Sequence, residues 1–411
     1  MNVICNKFRL FPSKAQEAAL NETLAVCRLV YNSLLHERTA LHEQGLKSPT
    51  YYTQAPTYYT QAPAITQWKK THPELKTVHS QVLQNVAVRV DLAFQAFFRR
   101  VKKNDGKAGD GKAGDGKAGE TPGYPRMKGR GQYDSITYPG SGFKIGESSV
   151  WLSLLGRQVQ VKAKLHRPLV GTVKTCTVRR YGKKWFVCFS VEQEAVPLPP
   201  TKDAIGLDAG LNSFMALSNG EFIDNPRFFR RDEKALAKAG RRQAKTKKRS
   251  RERRKANKVL SRIHERIKNR RHDFCHQTAR RLVNRYGVIA VEKLNVKGMV
   301  KNHNLAKSIS DASWSMFRSV LTSKAESADR EVIAVNPAYT SQDCHACGYG
   351  AKKKLSDRWH FCPKCSASLD RDTNAAINIL NLAIGTSHKS SNHIGITLCQ
   401  VTPVEAAAFR I

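Results

Sequence analysis

The chain has 411 residues, enough for two or three domains and at least one large core. Seventy Lys and Arg stand against 33 Asp and Glu, a formal net charge of +37, and an excess of that size calls for a polyanionic partner, nucleic acid first, because neutralising phosphates releases counterions. No stretch approaches the roughly eighteen apolar residues of a membrane span, the first residues lack a signal-peptide layout, and ten cysteines without a secretory signal point to reduced thiols in the cytosol, so neither a membrane protein nor a disulfide scaffold is expected.

The opening residues alternate weakly through Val3, Cys5, Phe8 and Leu10 and predict a short strand. Pro12-Ser13-Lys14-Ala15-Gln16 predicts a helix start, with Ser13 as the cap and Gln16 as its capping-box partner. Leu20, Leu24, Cys27, Tyr31 and Leu34 follow at helical spacing, and Val82, Val86, Val90, Phe94 and Phe97 mark a second helix. Two tandem tracts interrupt this region. The heptapeptide TYYTQAP occupies 50–56 and again 57–63, and GKAGD units run from Gly106 to Glu120. Both are expected as expansions in surface loops, since such sequence buries no core and a solenoid needs longer amphipathic repeats.

From about residue 121 to 200 the period changes to two. Val159/Val161, Val173/Thr175/Thr177 and Trp185/Val187/Phe189/Val191 alternate, with Tyr181-Gly182-Lys183 as a hairpin turn. A small antiparallel barrel is expected, which the N-terminal strand could join, followed by a linker at Leu198-Pro199-Pro200. Ala204–Asp208 reads as a buried strand, and Phe214–Leu217, Asn219-Gly220 and Glu221–Ile223 as a hairpin, with Asn-Gly suiting a type I′ turn. Between Arg230 and Arg271 lie 20 Lys/Arg and only 4 Asp/Glu. Leu260, Ile263, Ile267 and Phe274 give an apolar stripe, so at least the second half of that run is expected as a helix with a basic outer face. Val288–Val291 and Glu331–Val335 read as strands, Trp314, Phe317, Leu321 and Ala325 as one face of a helix, and roughly Thr373–Ala383 as the last helix. The tail from Gly385 has no clear period.

Three sets of residues carry chemistry. Cys344-His345-Ala346-Cys347 and Cys362-Pro363-Lys364-Cys365 form C-x2-C…C-x2-C with fourteen residues between the pairs. Two such knuckles supply four thiolates to one tetrahedral structural Zn²⁺, leaving no open position, so His345 is read as a non-ligand. The other six cysteines read as small core residues. Asp208 and Glu292 each end an apolar strand, and Asp372 opens the final helix. A charge at such a strand end must be solvated, paired or metal-bound. Together the three acids could hold two Mg²⁺ ions that activate a water and stabilise the leaving oxygen of a phosphodiester. Each acid alone is weak evidence, since a strand-end Asp or Glu is more often a cap or surface residue and Asp372 could simply cap its helix, and Asp370 is an alternative third ligand. Their order (strand acid, hairpin, helical span, strand acid, helix-initial acid) is an RNase H pattern. Arg241, Arg242, Lys247, Lys248, Arg249, Arg253, Arg254 and Lys255 in the basic run are read as the wall of a channel that tracks a nucleic-acid backbone without reading sequence. The competing reading is a solvated helix face.

These motifs together resemble the TnpB family, RNA-guided nucleases of insertion sequences related to compact type V CRISPR effectors. The matching residues are Gly206-Leu207-Asp208-Ala209-Gly210, Val291-Glu292-Lys293-Leu294, Ser308-Ile309-Ser310-Asp311-Ala312-Ser313-Trp314, Asn336-Pro337-Ala338-Tyr339-Thr340-Ser341-Gln342, and Asp370-Arg371-Asp372-Thr373-Asn374-Ala375-Ala376-Ile377-Asn378-Ile379. The resemblance assigns the third acid to Asp372, two residues before Asn374. It implies a multidomain α+β protein, with a wedge-like β-barrel at 1–12 and 121–200 and a helical recognition lobe at 13–120. An RNase H-like (RuvC) nuclease domain follows at 201–343 and 366–384, with an inserted zinc ribbon at 344–365 and a flexible tail at 385–411. It further implies a guide RNA bound by one protein chain, and Mg²⁺-dependent cleavage of double-stranded target DNA beside a short motif, in a cytoplasmic protein that joins the nucleoid when on DNA. The alternatives are a transposase using the same acids and a non-cleaving guide-RNA-dependent DNA-binding protein.

Overall fold

A computed structural model of the chain describes residues 2–44, 58–108, 123–354 and 357–387. They fall into two compact units that divide between Glu194 and Ala195. The first TYYTQAP copy, most of the GKAGD run and the tail beyond 387 lie outside the described residues.

The first unit begins with β1 (Asn2–Phe11), α1 (Lys14–Glu43), α2 (Tyr58–Thr71), a 3-10 turn (Pro73–Thr77) and α3 (Ser80–Ala108). The capping box forms as expected. The Ser13 N–H donates to Gln16 Oε1 at 2.9 Å and the Gln16 N–H to Ser13 Oγ at 3.3 Å. The second TYYTQAP copy is not a loop: from Tyr58 onward it forms the first turns of α2. Ile65, buried just beyond it, explains the difference, since an apolar anchor in the core recruits the preceding turns into the helix. Six strands follow: β2 (Ser135–Pro139), β3 (Phe143–Ile145), β4 (Ser149–Leu154), β5 (Arg157–Lys164), β6 (Thr172–Tyr181) and β7 (Lys184–Gln193). They join β1 in one antiparallel sheet of order β2-β6-β7-β1-β5-β4-β3. The first strand of the chain therefore sits centrally, with Arg9 opposite both Phe186 and Lys164. The sheet is not a closed barrel: among the described residues β2 and β3 remain its edges. Its inner face, with Phe8, Leu10, Val161, Val187 and Phe189, packs on Leu20 and Leu24 of α1 and on Val82 and Val86 of α3.

The second unit has a five-stranded sheet in the order β10-β9-β8-β11-β12, built from β8 (Ala204–Ala209), β9 (Ser213–Leu217), β10 (Phe222–Asp224), β11 (Val288–Glu292) and β12 (Glu331–Val335). β8, β9 and β10 form antiparallel hairpins, whereas β8, β11 and β12 run parallel. The turn at Asn219-Gly220 is not type I′. Only Gly220 has positive φ (85°), the Gly220 N–H donates to the Leu217 carbonyl at 3.0 Å, and Asn219 Oδ1 accepts from the Glu221 N–H. A type I turn closed by one left-handed glycine needs just that residue in the costly region, and the Asn side chain is freed to cap the strand behind it. Between the strands lie α4 (Phe228–Ala244), α5 (Arg251–Arg285), α6 (Val296–Met299), α7 (His303–Ala312) and α8 (Trp314–Ser327). Near the end of the described chain come the short strands β13 (Trp359–Phe361) and β14 (Ser368–Asp370), then α9 (Arg371–Ser387).

Side chains alternate across a strand, so one face of this sheet presents Ile205, Leu207, Ile289 and Val291 and the other Ala204, Gly206, Val288 and Ala290. The first set packs on Ala279 and Leu282 of α5 and Phe317 and Leu321 of α8. The second packs on Ile379, Leu380 and Ala383 of α9. α9 approaches so closely that a Cβ on Gly206 would stand 2.0 Å from the Ala376 carbonyl oxygen and 2.9 Å from Leu380 Cβ. Gly206→Ala is expected to destabilise the unit by at least about 3 kcal/mol, because the obstacle is helix backbone rather than a flexible side-chain end. A melting temperature equal to that of the parent would contradict this packing.

Candidate active site and metal centre

The alternation that seats α9 also aims the acids. Asp208 and Glu292 continue the series 204/206 and 288/290, and β8 and β11 are in parallel register with Val291 beside Leu207. Both carboxylates thus leave adjacent strand ends on the face covered by α9, whose first turn carries Asp372. Asp208 is buried. Burial lifts its carboxyl well above the usual carboxylate range, and the neighbouring Glu292 and Asp372 carboxylates lift it further, against the pull of Arg371. Burial likewise brings Glu292 up to about 7, opposed by hydrogen bonds from the Ala209 backbone and the Thr340 hydroxyl. Asp372 is held from the side: Arg371 Nη2 lies 3.0 Å from its Oδ1 and Arg358 Nη1 3.6 Å from its Oδ2. Asp370 has a different task. Its Oδ1 accepts the backbone N–H of Asp372 at 2.8 Å and of Thr373 at 3.1 Å, so it caps α9.

The four cysteines converge. Their ligand atoms all lie within 4.8 Å of one another, with Cys344 Sγ 3.6 Å from Cys365 Sγ and Cys347 Sγ 3.5 Å from Cys362 Sγ. A Zn–S bond of about 2.3 Å in a tetrahedron sets sulfurs about 3.8 Å apart, so the cluster fits a zinc ribbon. The two knuckles are the same turn used twice. Gly348 N–H donates to the Cys344 carbonyl and Ser366 N–H to the Cys362 carbonyl, each at 2.9 Å, and both residues have positive φ, 71° and 59°. His345 points away from the sulfurs in function. Its backbone N–H donates to Asn374 Oδ1 at 3.0 Å, and its Nδ1 lies 3.1 Å from the same oxygen. Asn374 Nδ2 donates to the Asp343 carbonyl, and Asn378 Nδ2 to those of Thr340 and Asp343, each at 2.8 Å. The ribbon is thereby laced onto the helix that carries Asp372.

The basic run spans α4 and α5, so its second half is helical as expected and its first half is largely helical too. Arg241 and Arg242 lie near the end of α4, Lys247, Lys248 and Arg249 in the connection, and Arg253, Arg254 and Lys255 at the start of α5. Seven of these eight are exposed. Arg253 is turned inward, its Nη1 donating to the Gln243 and Thr246 carbonyls at 3.0 and 2.9 Å, so it closes the turn. Two acids pin the hairpin. Asp232 pairs with Arg266 at 2.5 Å and with Arg270 at 3.5 Å. Asp311, buried at the end of α7, accepts from Arg271 at 2.7 and 3.0 Å and from the Phe229 N–H at the start of α4. Sequence reasoning placed Asp311 in a motif without giving it a role. Asp311 lies 40 residues from Arg271 in the sequence, so no local signal pointed to this pairing.

Three family models match. One described as "Probable transposase" covers residues 186–303, one described as "Cas12f1-like, TNB domain" covers 314–379, and one described as "Helix-turn-helix domain" covers 5–47. In that last span the described residues form one strand and one long helix, β1 and α1. The chain is 34% identical over 387 residues to a protein of Streptomyces pristinaespiralis named "Putative RNA-guided DNA endonuclease", covering 93% of this chain and 89% of that one. A protein of Escherichia coli K12 with the same designation is 30% identical over 394 residues, covering 91% and 90%. Among solved structures, a Cas12f1–sgRNA–target DNA complex contains a chain of similar fold, with a TM-score of 0.54 at 16% identity, covering 89% of this chain and 83% of that one.

Proposed function

The chain belongs to the TnpB family, and from that membership we propose that it is an RNA-guided DNA endonuclease whose second unit is an RNase H-like (RuvC) nuclease with Asp208, Glu292 and Asp372 as its catalytic acids. The observation that carries this reading is that Asp208 and Glu292 end adjacent parallel strands on the α9 face, that Asp208 feels the Glu292 and Asp372 carboxylates, and that Asp208 and Glu292 are both raised by burial. Buried like charges on adjacent strand ends are costly unless a cation offsets them. Their donor set is all carboxylate oxygen, which suits a hard divalent ion such as Mg²⁺. Two such ions held by the three acids would supply an activated water and a stabilised leaving oxygen for phosphodiester hydrolysis.

The protein's own groups do the positioning. Thr340 and the Ala209 backbone orient Glu292, Arg371 and Arg358 orient Asp372, and the Asp370 cap fixes the turn from which Asp372 projects. That cap favours Asp372 over Asp370 as the third acid. The exposed cations of the α4–α5 hairpin suit a nucleic-acid backbone, and the net charge of +37 suits an RNA of substantial length. One chain per guide RNA, a double-stranded target and a short target-adjacent motif complete the reading. Base pairing then carries the sequence specificity.

Reconstitution tests it. Protein combined with RNA transcribed from the end of its element, Mg²⁺ and a matching duplex should cut at the guided site, and changing the guide segment should move the cut. Guide-independent cutting, or joining of DNA ends by RNA-free protein, would favour the transposase that shares these acids.

A further inference from the structure

Away from the acids and the ribbon, two more metal-ligating side chains stand together. His272 and His276 are four residues apart on α5, a spacing that sets side chains one above the other on the same helix face. Their Nε2 atoms are 3.2 Å apart, whereas their ring centroids are 4.2 Å apart. The rings therefore splay like a V with the two nitrogens at its narrow end, and lone pairs on those nitrogens converge just beyond it. The spacing is that of a chelate. Two metal–nitrogen bonds of about 2.0–2.1 Å set their nitrogens about 2.9 Å apart at a right angle and about 3.4 Å apart at the tetrahedral angle. The observed 3.2 Å lies between these limits.

The turn that carries the pair is anchored on its inner side. Arg271 Nη2 pairs with the buried Asp311 at 2.7 Å, the Phe274 ring meets that of Phe214 edge-on at 4.9 Å, and Cys275 is buried. With these neighbours fixed, the imidazoles are held near chelating geometry before an ion arrives, which removes part of the ordering cost of binding. His272 is exposed and His276 half-buried, so an ion reaches both from solvent. In the metal-free chain one Nε2–H donates to the other Nε2. When both rings carry their hydrogen on Nδ1, the same two nitrogens are ligands.

We propose that His272 and His276 form a two-histidine site for a divalent transition ion of the class of Zn²⁺, Ni²⁺ and Cu²⁺, and that the bound ion staples two turns of α5 together. Imidazole nitrogen suits those ions, whereas Mg²⁺ and Ca²⁺ prefer oxygen. Asp273 does not complete the ligand set, since its carboxylate accepts from Gln277 Nε2 at 2.9 Å, and the remaining positions fall to water. α5 packs on the sheet face opposite the one that carries Asp208 and Glu292, so this centre is separate from the acids.

The test is Ni²⁺ titration of the full-length, zinc-loaded protein. It needs neither guide nor DNA, so its outcome is independent of the nuclease reading. The parent should hold one Ni²⁺ whose affinity falls by at least about tenfold in His272→Ala and in His276→Gln, since removing even a group that merely orients a ligand costs about that much. His264→Ala is the control. His264 lies on the same helix with Leu260 and Lys268, not histidine, four residues away on either side, and its loss should leave that affinity unchanged. The ion binds the preformed pair better than the unfolded chain, so the melting temperature of the parent should climb with Ni²⁺ concentration and that of the two variants should not. His272→Ala changes an exposed side chain and carries the test if His276→Gln fails to fold. Parental Ni²⁺ affinity in either folded variant, an equal loss in His264→Ala, or a parent whose melting temperature ignores Ni²⁺ overturns the site.

Discussion

Asp208→Asn should abolish guided cleavage, by more than about a thousandfold, and yet melt at a higher temperature than the parent at pH 8 in the absence of divalent ions. The two effects have one cause. Burial and the neighbouring Glu292 and Asp372 carboxylates raise the Asp208 carboxyl well above its ordinary value. The folded chain therefore holds this proton more tightly than the unfolded chain does. Stability is full below the unfolded value and falls as pH rises toward the raised folded one, because folding then requires an ionised group in a poor environment. An amide of the same shape removes that cost and with it the ligand. Glu292→Gln, from a carboxyl brought up to about 7, should behave alike, with its stability gain appearing between about pH 4.5 and 7 and persisting above. Asp372→Ala should be equally inactive. Asp370→Ala provides the contrast: losing the cap of α9 should lower stability by about 1 kcal/mol and leave much of the activity. Activity lost in Asp370→Ala and kept in Asp372→Ala would reassign the third acid. Inactive variants that also melt lower than the parent would mean that the acids stabilise the fold and that their burial has been misread.

Much of this site was legible because its information is local. Ala204–Asp208 and Val288–Glu292 are short apolar runs ending in acid, and a period of two is enough to put Asp208 and Glu292 on one face once the strands are parallel. The cysteine spacing and the Ser13–Gln16 box are local in the same sense. What the sequence withheld depends on contacts between distant segments. Nothing near Arg253 distinguishes it from Arg254, yet one closes a turn and the other is exposed. Asp232 and Asp311 acquire meaning only when α5 brings Arg266 and Arg271 to them. That Asp370 caps α9 depends on where the helix begins, which periodicity gives only to within a residue or two. The expected barrel reads as alternation and remains an open sheet, since alternation fixes which face is buried and not whether the edges meet. The type I turn at Asn219-Gly220 escaped because the same dipeptide serves both turn types.

Cys347→Ser should release zinc, unfold the ribbon and lower guided cleavage by more than about a hundredfold, although no cysteine stands among the acids. The ribbon has little else to hold it. β13 and β14 are three residues each, Trp359 and Phe361 are 53% and 60% exposed, and an isolated two-stranded hairpin is marginal at best. Structural zinc contributes about 10–16 kcal/mol of apparent binding energy in small finger peptides, so its loss exceeds anything this hairpin can supply. The damage should then travel along identified bonds. His345 and Asp343 hold Asn374, Thr340 and Asp343 hold Asn378, and both asparagines belong to the helix that carries Asp372. Thr340 also hydrogen-bonds Glu292. Unfolding of the ribbon thus loosens two of the three acids at once. Elemental analysis should find one zinc per chain in the parent and less in the variant. Hydrogen exchange in the variant should rise over 340–370 and the first turns of α9, while residues 2–194, a separate unit, keep their protection. A parent with no zinc rejects the metal site. A zinc-free variant that cuts at the parental rate rejects the link between ribbon and acids.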